Sequence, residues 1–435
     1  MTEPSTVDLH DGASLVGADT AALLPSAALA GAQVRSAAEQ VARLPSFDRP
    51  RALVVVGATA AVDAALLGAL IGSRAAAPVL AATALPGWVG ALDIVVVLAS
   101  AVDDMAAAEA AAEAGRRGAR VIVRGPVQGP VAAAAGPDLL DPQMSVPESL
   151  AGVARLTVLA AVAAADGLCP RPDFAGAAQQ LDAMAMACHP SAEFFVNPAL
   201  TLAEHLAGGT PLFVGTDPVA DALAAHAARS LAGLAGYAGA WLASGQAAGS
   251  PPVIARAAGR GGSGAPTDLF YDPYTDDTGN ERGQQISAVL VVGPAAQGVV
   301  GPLTGSGLVS GGGRSLDAVA FGAGVPAVRS PLATALETAL PRSMCIGPEE
   351  LPESGDRYRE DPEPADGLPH RDAFTWTVAM MGRIDFAAVY LGLLTGARAP
   401  LDLPDGLGRP GRAAGRPPGA TRPASWTEGE SGSWS

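Results

Sequence analysis

The chain has 435 residues, of which 49% are hydrophobic and only 16% are charged. That length predicts two or three domains with ample apolar cores, and the formal net charge of −16 disfavours a nucleic acid as partner, because no basic face is visible in the part predicted to fold. All 27 basic residues are Arg, so Schiff-base chemistry and a Lys-dependent phosphate loop are both excluded.

The first half of the chain predicts a parallel sheet covered by helices. Apolar runs rich in β-branched residues alternate with helical patterns between residues 51 and 124, and this alternation is typical of such a sheet. The predicted strands are 52–56, 77–82, 93–99, 119–124 and a short 138–140. Helices are predicted at 21–44, after residue 57, and at 103–117, 149–166 and 174–187.

The second half repeats this order of elements without a residue-level repeat. Its predicted strands are 211–215, part of 236–244, 286–292 and 344–346, and its predicted helices are 200–207, 217–234, 332–340 and 372–396. Composition also predicts a Gly-rich loop at 299–314, a short helix and strand within 317–328, and an acidic excursion at 349–372.

We therefore predict an α/β fold with two domains, each a parallel sheet between layers of helices. A flexible N-terminus, 1–20, precedes the first domain, 21–190. The second domain, 191–398, contains a long surface loop rich in Gly, Pro and polar residues, 245–285. The remaining residues, 399–435, are dominated by Gly, Pro and Arg and are predicted to form a disordered tail.

Cysteine spacing and the N-terminus bear on the compartment. Cys169, Cys188 and Cys345 are far apart and form no CxxC pair, so the sequence supports neither a disulfide framework nor a thiolate zinc site. The acidic, polar start of the chain is unlike a secretory signal. The span between Arg74 and Asp93 lacks charge, but the breakers within it favour a strand and a loop over a membrane span. We expect a cytoplasmic protein with no metal, no cofactor and no membrane contact.

Three stretches resemble the sugar isomerase (SIS) superfamily. The first is 34–39 (Val-Arg-Ser-Ala-Ala-Glu) taken with 87–96, the second is 193–199 (Glu-Phe-Phe-Val-Asn-Pro-Ala), and the third is 384–391 within the last predicted helix. The chain is most similar to the bifunctional phosphoglucose/phosphomannose isomerases and the actinobacterial TobH-type proteins. The resemblance covers roughly residues 30–400 and implies two SIS domains, a sugar phosphate as ligand and a homodimer.

The resemblance also implies where a sugar would bind. The family holds it on the turn after the first strand and on a phosphate loop, Ser-x-Ser-Gly-x-Thr, after the third. The corresponding positions nominate four substrate-binding residues: Gly57, Thr59, Ser100 and Asp103. The phosphate loop itself is replaced by Ala-Ser-Ala-Val-Asp-Asp at 99–104. Two carboxylates there would repel a phosphate by about 1–4 kcal/mol each near a surface.

The family's catalytic acids and bases have no counterpart. The positions that correspond to its Glu and His fall near Gly233 and at 249–251, and no Glu, Asp or His lies between Ala227 and Asp268. Proton transfer between two sugar carbons needs such groups, so we nominate no catalytic residue. His226 and His205 are interpreted as partly buried or surface residues of helices, and His370 as a solvated loop residue. Arg124 and Arg35 are the cations nearest by position to an anion at this edge.

These observations predict a carbohydrate-derivative-binding protein of the phosphoglucose/phosphomannose isomerase type whose isomerase activity is doubtful. One alternative is an active aldose–ketose isomerase that interconverts mannose 6-phosphate or glucose 6-phosphate with fructose 6-phosphate. The other is a structural or interaction protein. The sequence leaves all three open.

Overall fold

The computed structural model describes residues 7–47, 49–72, 75–259, 285–294, 331–348, 351–352 and 373–396. The predictions for 299–314, 317–328, most of 349–372 and the tail 399–435 lie outside these residues, as do 260–284 of the predicted long loop.

The first sheet has five parallel strands in the order β2-β1-β3-β4-β5. The central strands are fully buried on both faces, which accounts for their continuous apolar runs. The strands are β1 (Ala52–Val56), β2 (Val79–Ala82), β3 (Asp93–Leu98), β4 (Arg120–Arg124) and β5 (Leu139–Leu140).

Helices cover both faces of this sheet. Side chains of alternate residues along β1 and β3 point to opposite faces, and they join two separate cores. The larger core includes Val55 and Val96 and continues into the second half of the chain, whereas the smaller one includes Val54 and Val95. The helices of this half are α3 (Ala30–Ala42), α4 (Ala60–Ile71), α5 (Met105–Arg116), α6 (Gly129–Ala135), α7 (Gly152–Ala165) and α8 (Phe174–Ala187).

The second sheet has four parallel strands in the order β7-β6-β8-β9. They are β6 (Thr210–Gly215), β7 (Ala240–Leu242), β8 (Ile286–Val291) and β9 (Met344–Ile346), and α9 (Pro198–Ala207), α10 (Pro218–Ser230) and α13 (Pro331–Ala339) accompany them. The predicted fold class, two parallel sheets flanked by helices, is confirmed.

The last helix, α14 (Ala373–Thr395), runs through the core. Every residue from Phe374 to Leu393 is buried, and the helix packs against α8, α9 and α10. Among the described residues it is the one helix long and apolar enough to cross a membrane, but 94% of its most apolar window is buried inside the protein. Its apolar character is therefore explained by its position in the core of the protein.

Two predictions about local structure are corrected. The N-terminal segment expected to be flexible contains a helix, α1 (Gly12–Ala18), which Asp11 caps and whose Leu15 is fully buried. The single helix expected at 21–44 is divided into α2 (Leu23–Ala28) and α3, and the carboxylate of Asp19 accepts hydrogen bonds from the first amides of α2.

The start of the long loop predicted at 245–285 is helical instead. It contains α11 (Ser244–Ala248) and α12 (Pro251–Ala257). The consecutive prolines that suggested a loop lie in the first turn of α12, where a missing N–H costs no helical hydrogen bond.

Candidate functional site

The carboxyl edge of the first sheet is where the sequence places a ligand. Gly57 follows β1 with φ of 149°, and a Cβ there would lie 2.5 Å from the carbonyl oxygen of Leu98 at the end of β3. Only Gly permits this approach. The ends of β1 and β3 are thus held in contact, and their following loops leave from neighbouring points of the edge.

The other three nominated residues lie on these two loops. Thr59 directly precedes α4, but its side chain makes no capping hydrogen bond. Ser100 is exposed after β3, and Asp103 is half-buried in the turn that leads to α5. Asp104, rather than Asp103, caps α5 by accepting a hydrogen bond from the amide of Ala107 at 3.0 Å. The loop that holds phosphate in the resembling family therefore has a carboxylate fixed at its helix start.

Beneath this edge lies a buried network of charged side chains, which we call the junction network. It begins with Arg155 on α7 and Asp63 in the first turn of α4, both fully buried. Arg155 Nε donates to Asp63 Oδ2 at 2.7 Å, and its Nη1 donates to the carbonyl and carboxylate oxygens of Glu148. Burial lowers the pKa of Arg155, but the carboxylates of Asp63 and Glu148 outweigh it and leave the pKa raised.

The network continues into the second half of the chain. Arg229 on α10 approaches Asp63 at 3.9 Å, and the fully buried His226, one turn earlier, pairs with Asp385 of α14 at 3.1 Å. Ser230 donates a hydrogen bond to the same Asp385 oxygen. Burial and the nearby Arg155 lower the pKa of Arg229. Arg124 of β4 also belongs to it, because its guanidinium lies 3.8 Å from the carboxylate of Glu148. The junction network therefore joins both halves; its members are Arg124, Glu148, Arg155, Asp63, Arg229, His226, Asp385 and Ser230.

The contacts within the junction network give it a structural role and no catalytic one. Ser230 donates to Asp385 and not to His226, so the histidine does not activate the hydroxyl as a nucleophile. His226 has no exposed surface. Within the described part of the chain, no three His, Cys, Asp or Glu side chains are grouped so as to hold a metal ion.

Arg35 and Arg124, the two candidate contacts for an anion, lie in very different surroundings. Arg35 forms a bidentate pair with Asp182 of α8 and lies on an exposed surface between α3 and α8. Its nomination as an anion contact is not supported, because its charge is already paired. Arg124 is the last residue of β4, in register with Leu98, and is 4% exposed. It therefore lies at the carboxyl edge, below the loop that carries Ser100.

Residues around the chain reversal at 188–199 have structural roles. Asn197 caps α9 by accepting from two amides at 3.0 Å, and its amide nitrogen donates to the carbonyl of His189. Cys188 is fully buried, and burial raises the pKa of its thiol to about 12. Tyr390 of α14 donates a hydrogen bond to the Cys188 carbonyl at 2.6 Å.

Sequence reasoning missed the junction network. Its members are far apart in the chain, since Asp63 and Arg155 are separated by 92 residues and His226 and Asp385 by 159. One signal was available: Asp63 and Arg155 are isolated charges inside strongly apolar helical stretches, and Asp385 lies in another such stretch with Arg383. Such charges are buried only when they are paired.

Comparisons with known proteins agree on the fold. No protein-family model and no curated protein matches the chain. Among solved structures, the chain is similar to a hypothetical protein from Thermus thermophilus, with a TM-score of 0.56 and 11% identity, covering 88% of each chain. It is also similar to a "putative phosphosugar isomerase" from Bacillus subtilis, with a TM-score of 0.50 and 10% identity, covering 84% of this chain and 95% of that one.

These likenesses define the class of protein by its architecture. The chain has the two-sheet α/β fold of the solved phosphosugar isomerase-type structure, over almost that protein's whole length. At about 10% identity the likeness concerns the fold, and the chemistry must be argued from this chain's own residues.

Proposed function

We infer that this protein binds a carbohydrate derivative at the carboxyl edge of its first sheet and does not catalyse aldose–ketose isomerisation. The observation that carries the inference is which residues occupy the two loops at that edge. The close contact between Gly57 and Leu98 brings the loops after β1 and β3 together, whereas a capping carboxylate, Asp104, stands where the resembling family binds phosphate through hydroxyls. The fold shared with the phosphosugar isomerase-type structure supports a sugar as the ligand class.

The proposed contacts are those nominated from the sequence. Gly57 and Thr59 would approach the ligand from the loop after β1, and Ser100 and Asp103 from the loop after β3. Hydroxyl and carboxylate groups are suited to hydrogen bonds with sugar hydroxyls. They offer no positive charge to a phosphate, so recognition would come from the sugar part of the ligand.

A titration with matched ligands tests the inference. Glucose, mannose, fructose and their 6-phosphates would be titrated by calorimetry into the wild-type protein, and the same samples would be assayed for isomerisation with coupling enzymes. We expect binding of at least one sugar and no turnover. Turnover of glucose 6-phosphate or mannose 6-phosphate would establish the active isomerase instead, and no binding of any of these sugars would overturn the proposal.

An interaction function is the second candidate, and one observation favours it. Phe195 is 87% exposed, and both its neighbour Val196 and Met186, near the end of α8, are also largely exposed. Exposed apolar groups of this kind mark contact surfaces when they cluster. We propose a homodimer on this basis, and light scattering after size-exclusion chromatography checks it: a monomeric mass would refute the dimer. A cytoplasmic location is supported by the three free cysteines.

A further inference from the structure

A small pocket lies at the carboxyl edge of the first sheet, the edge that carries the proposed sugar site. It lies between α3, α7 and the carboxyl ends of β4 and β5, with Gln33 and Arg124 among its walls. Its volume is about 10 Å³, which is room for one oxygen-sized group. Arg124 is in register with Leu98, and its carbonyl accepts from the amide of Ala99, directly before Ser100. The pocket therefore belongs to the same sheet edge as the proposed site.

The guanidinium of Arg124 has no carboxylate within hydrogen-bond distance in the described part of the chain. Its side chain is 5% exposed, and the closest carboxylate oxygen there, Glu148 Oε2, is 3.8 Å away. Glu148 also pairs with Arg155, so its charge is shared. Burial lowers the pKa of Arg124. The guanidinium of Arg124 therefore has donor capacity left over, and an acceptor inside the pocket would give it a short hydrogen bond.

The side chain of Gln33 has an acceptor atom to spare. It is 3% exposed, and its Nε2 donates to the carbonyl of Leu150 at 3.3 Å. That bond fixes the amide so that Oε1 is the remaining atom. Oε1 is buried and has no hydrogen-bond partner among the described residues. The pocket thus combines a donor with spare capacity, Arg124, with a buried acceptor that has no partner among the described residues, Gln33 Oε1.

The two unmet groups select a ligand chemistry. A phosphate or carboxylate oxygen would accept from Arg124 but would be repelled by Gln33 Oε1, and an ammonium would be repelled by Arg124. A hydroxyl both donates and accepts, so it satisfies both. We propose that this pocket is a subsite for one hydroxyl group of a polyhydroxylated ligand whose remainder lies across the carboxyl edge of the first sheet. The inference rests on the proposed function and deepens it by assigning Arg124 to a hydroxyl instead of a phosphate.

The substitution Gln33→Glu tests the subsite. The new carboxylate would accept a hydrogen bond from Arg124, so a ligand hydroxyl would no longer find a free donor and a free acceptor in the pocket. Calorimetry with glucose, mannose, fructose, sorbitol and the hexose 6-phosphates would compare wild type, Gln33→Glu and Gln179→Glu, which adds the same charge on the exposed face of α8. We expect at least a tenfold loss of affinity for the bound ligand in Gln33→Glu and no change in Gln179→Glu.

The other possible results would each overturn the subsite, and they differ in whether the proposed function also fails. If wild type binds a sugar and Gln33→Glu binds it equally well, the pocket holds only a water molecule and the proposed function still stands. If wild type binds none of the probes, the proposed function fails and the subsite with it. Should Gln33→Glu fold poorly, a crystal structure of wild type with the bound sugar decides: we expect a sugar hydroxyl oxygen in the pocket, and an isolated water there refutes the subsite.

Discussion

Arg155 and Asp63 form an ion pair with no exposed side-chain surface, and each depends on the other for its charge to be tolerated inside the protein. Taking two charges out of water is costly, so such a pair adds little net stability compared with apolar side chains. Removing one partner is a different matter, because the other remains buried and charged. The pair therefore specifies how α4 and α7 meet more than it stabilises them.

The substitution Arg155→Met should lower the free energy of unfolding by about 3–5 kcal/mol, because Asp63 and Glu148 lose their main partner. The double variant Asp63→Leu/Arg155→Met should recover a large part of this loss. Guanidinium denaturation measures both. Arg43→Met is the control, since Arg43 pairs with Glu39 on the exposed surface of α3 and should cost less than about 1 kcal/mol. A loss in Arg155→Met no larger than in the control would show that the buried pair is dispensable.

The thiol of Cys188 gives the protein a pH dependence in the alkaline range. Its pKa is raised by burial from 9.0 to about 12, so above pH 9 the folded protein binds this proton more strongly than the unfolded chain. Its stabilising effect is therefore complete below pH 9 and is lost as the pH rises towards 12, by up to about 1.4 kcal/mol per pH unit. Stability of Cys188→Ala, measured by denaturation, should fall less steeply between about pH 9 and 11. Parallel curves for the two proteins over that range would contradict this.

At the scale of elements, α14 is organised by close contacts with its neighbours. A Cβ at Gly392 would lie 2.5 Å from the carbonyl oxygen of Leu234. Gly68, inside α4, has nothing within 4 Å of the same position. Two helical glycines thus have opposite environments, although local sequence makes them look equivalent.

The substitution Gly392→Ala should lower the free energy of unfolding by about 1–3 kcal/mol, because backbone must move to admit the methyl group. Gly68→Ala should raise it by about 0.5–1 kcal/mol, since Ala favours a helix and meets no obstacle. Chemical denaturation of both variants checks the pair. If Gly392→Ala were as stable as Gly68→Ala, α14 would not be packed as closely as described.

Elements with a strong local pattern could be predicted from the sequence, and elements that depend on distant contacts could not. The strands of both sheets and α14 were predictable, because their apolar runs carry a strong local signal. The helix α1 and the helix after Ser250 were missed, because short helices depend on a cap and on packing more than on periodicity. Asp104 as a helix cap was predictable, whereas the partners of Asp63 and Asp385 were not, because they come from distant helices.

At the scale of the whole molecule, the two sheets are joined by buried polar groups as well as by apolar packing. His226 and Ser230 of α10 both bond to Asp385 of α14, while Arg229 extends the network to Asp63 in the first half. A junction of this kind favours one relative placement of the two halves, because any other leaves buried charges without partners.

The substitution Asp385→Leu should lower the melting temperature by about 5 °C or more, since His226 and Ser230 lose their shared acceptor. Calorimetry should show one unfolding transition for wild type and a broader or divided one for the variant. Glu204→Leu, on the exposed face of α9, serves as the control. A variant that keeps the single transition and the wild-type midpoint would show that the junction does not couple the halves.

The most direct measurement for the proposed function observes binding and chemistry in one sample. Saturation-transfer NMR of wild type with glucose, mannose and their 6-phosphates reports which sugar contacts the protein, and the same spectra followed over a day report any fructose 6-phosphate formed. We expect saturation to reach the protons of at least one sugar and no product signal above a protein-free control. Growth of fructose 6-phosphate, or the absence of transfer to every sugar, would contradict a carbohydrate-binding protein without isomerase activity.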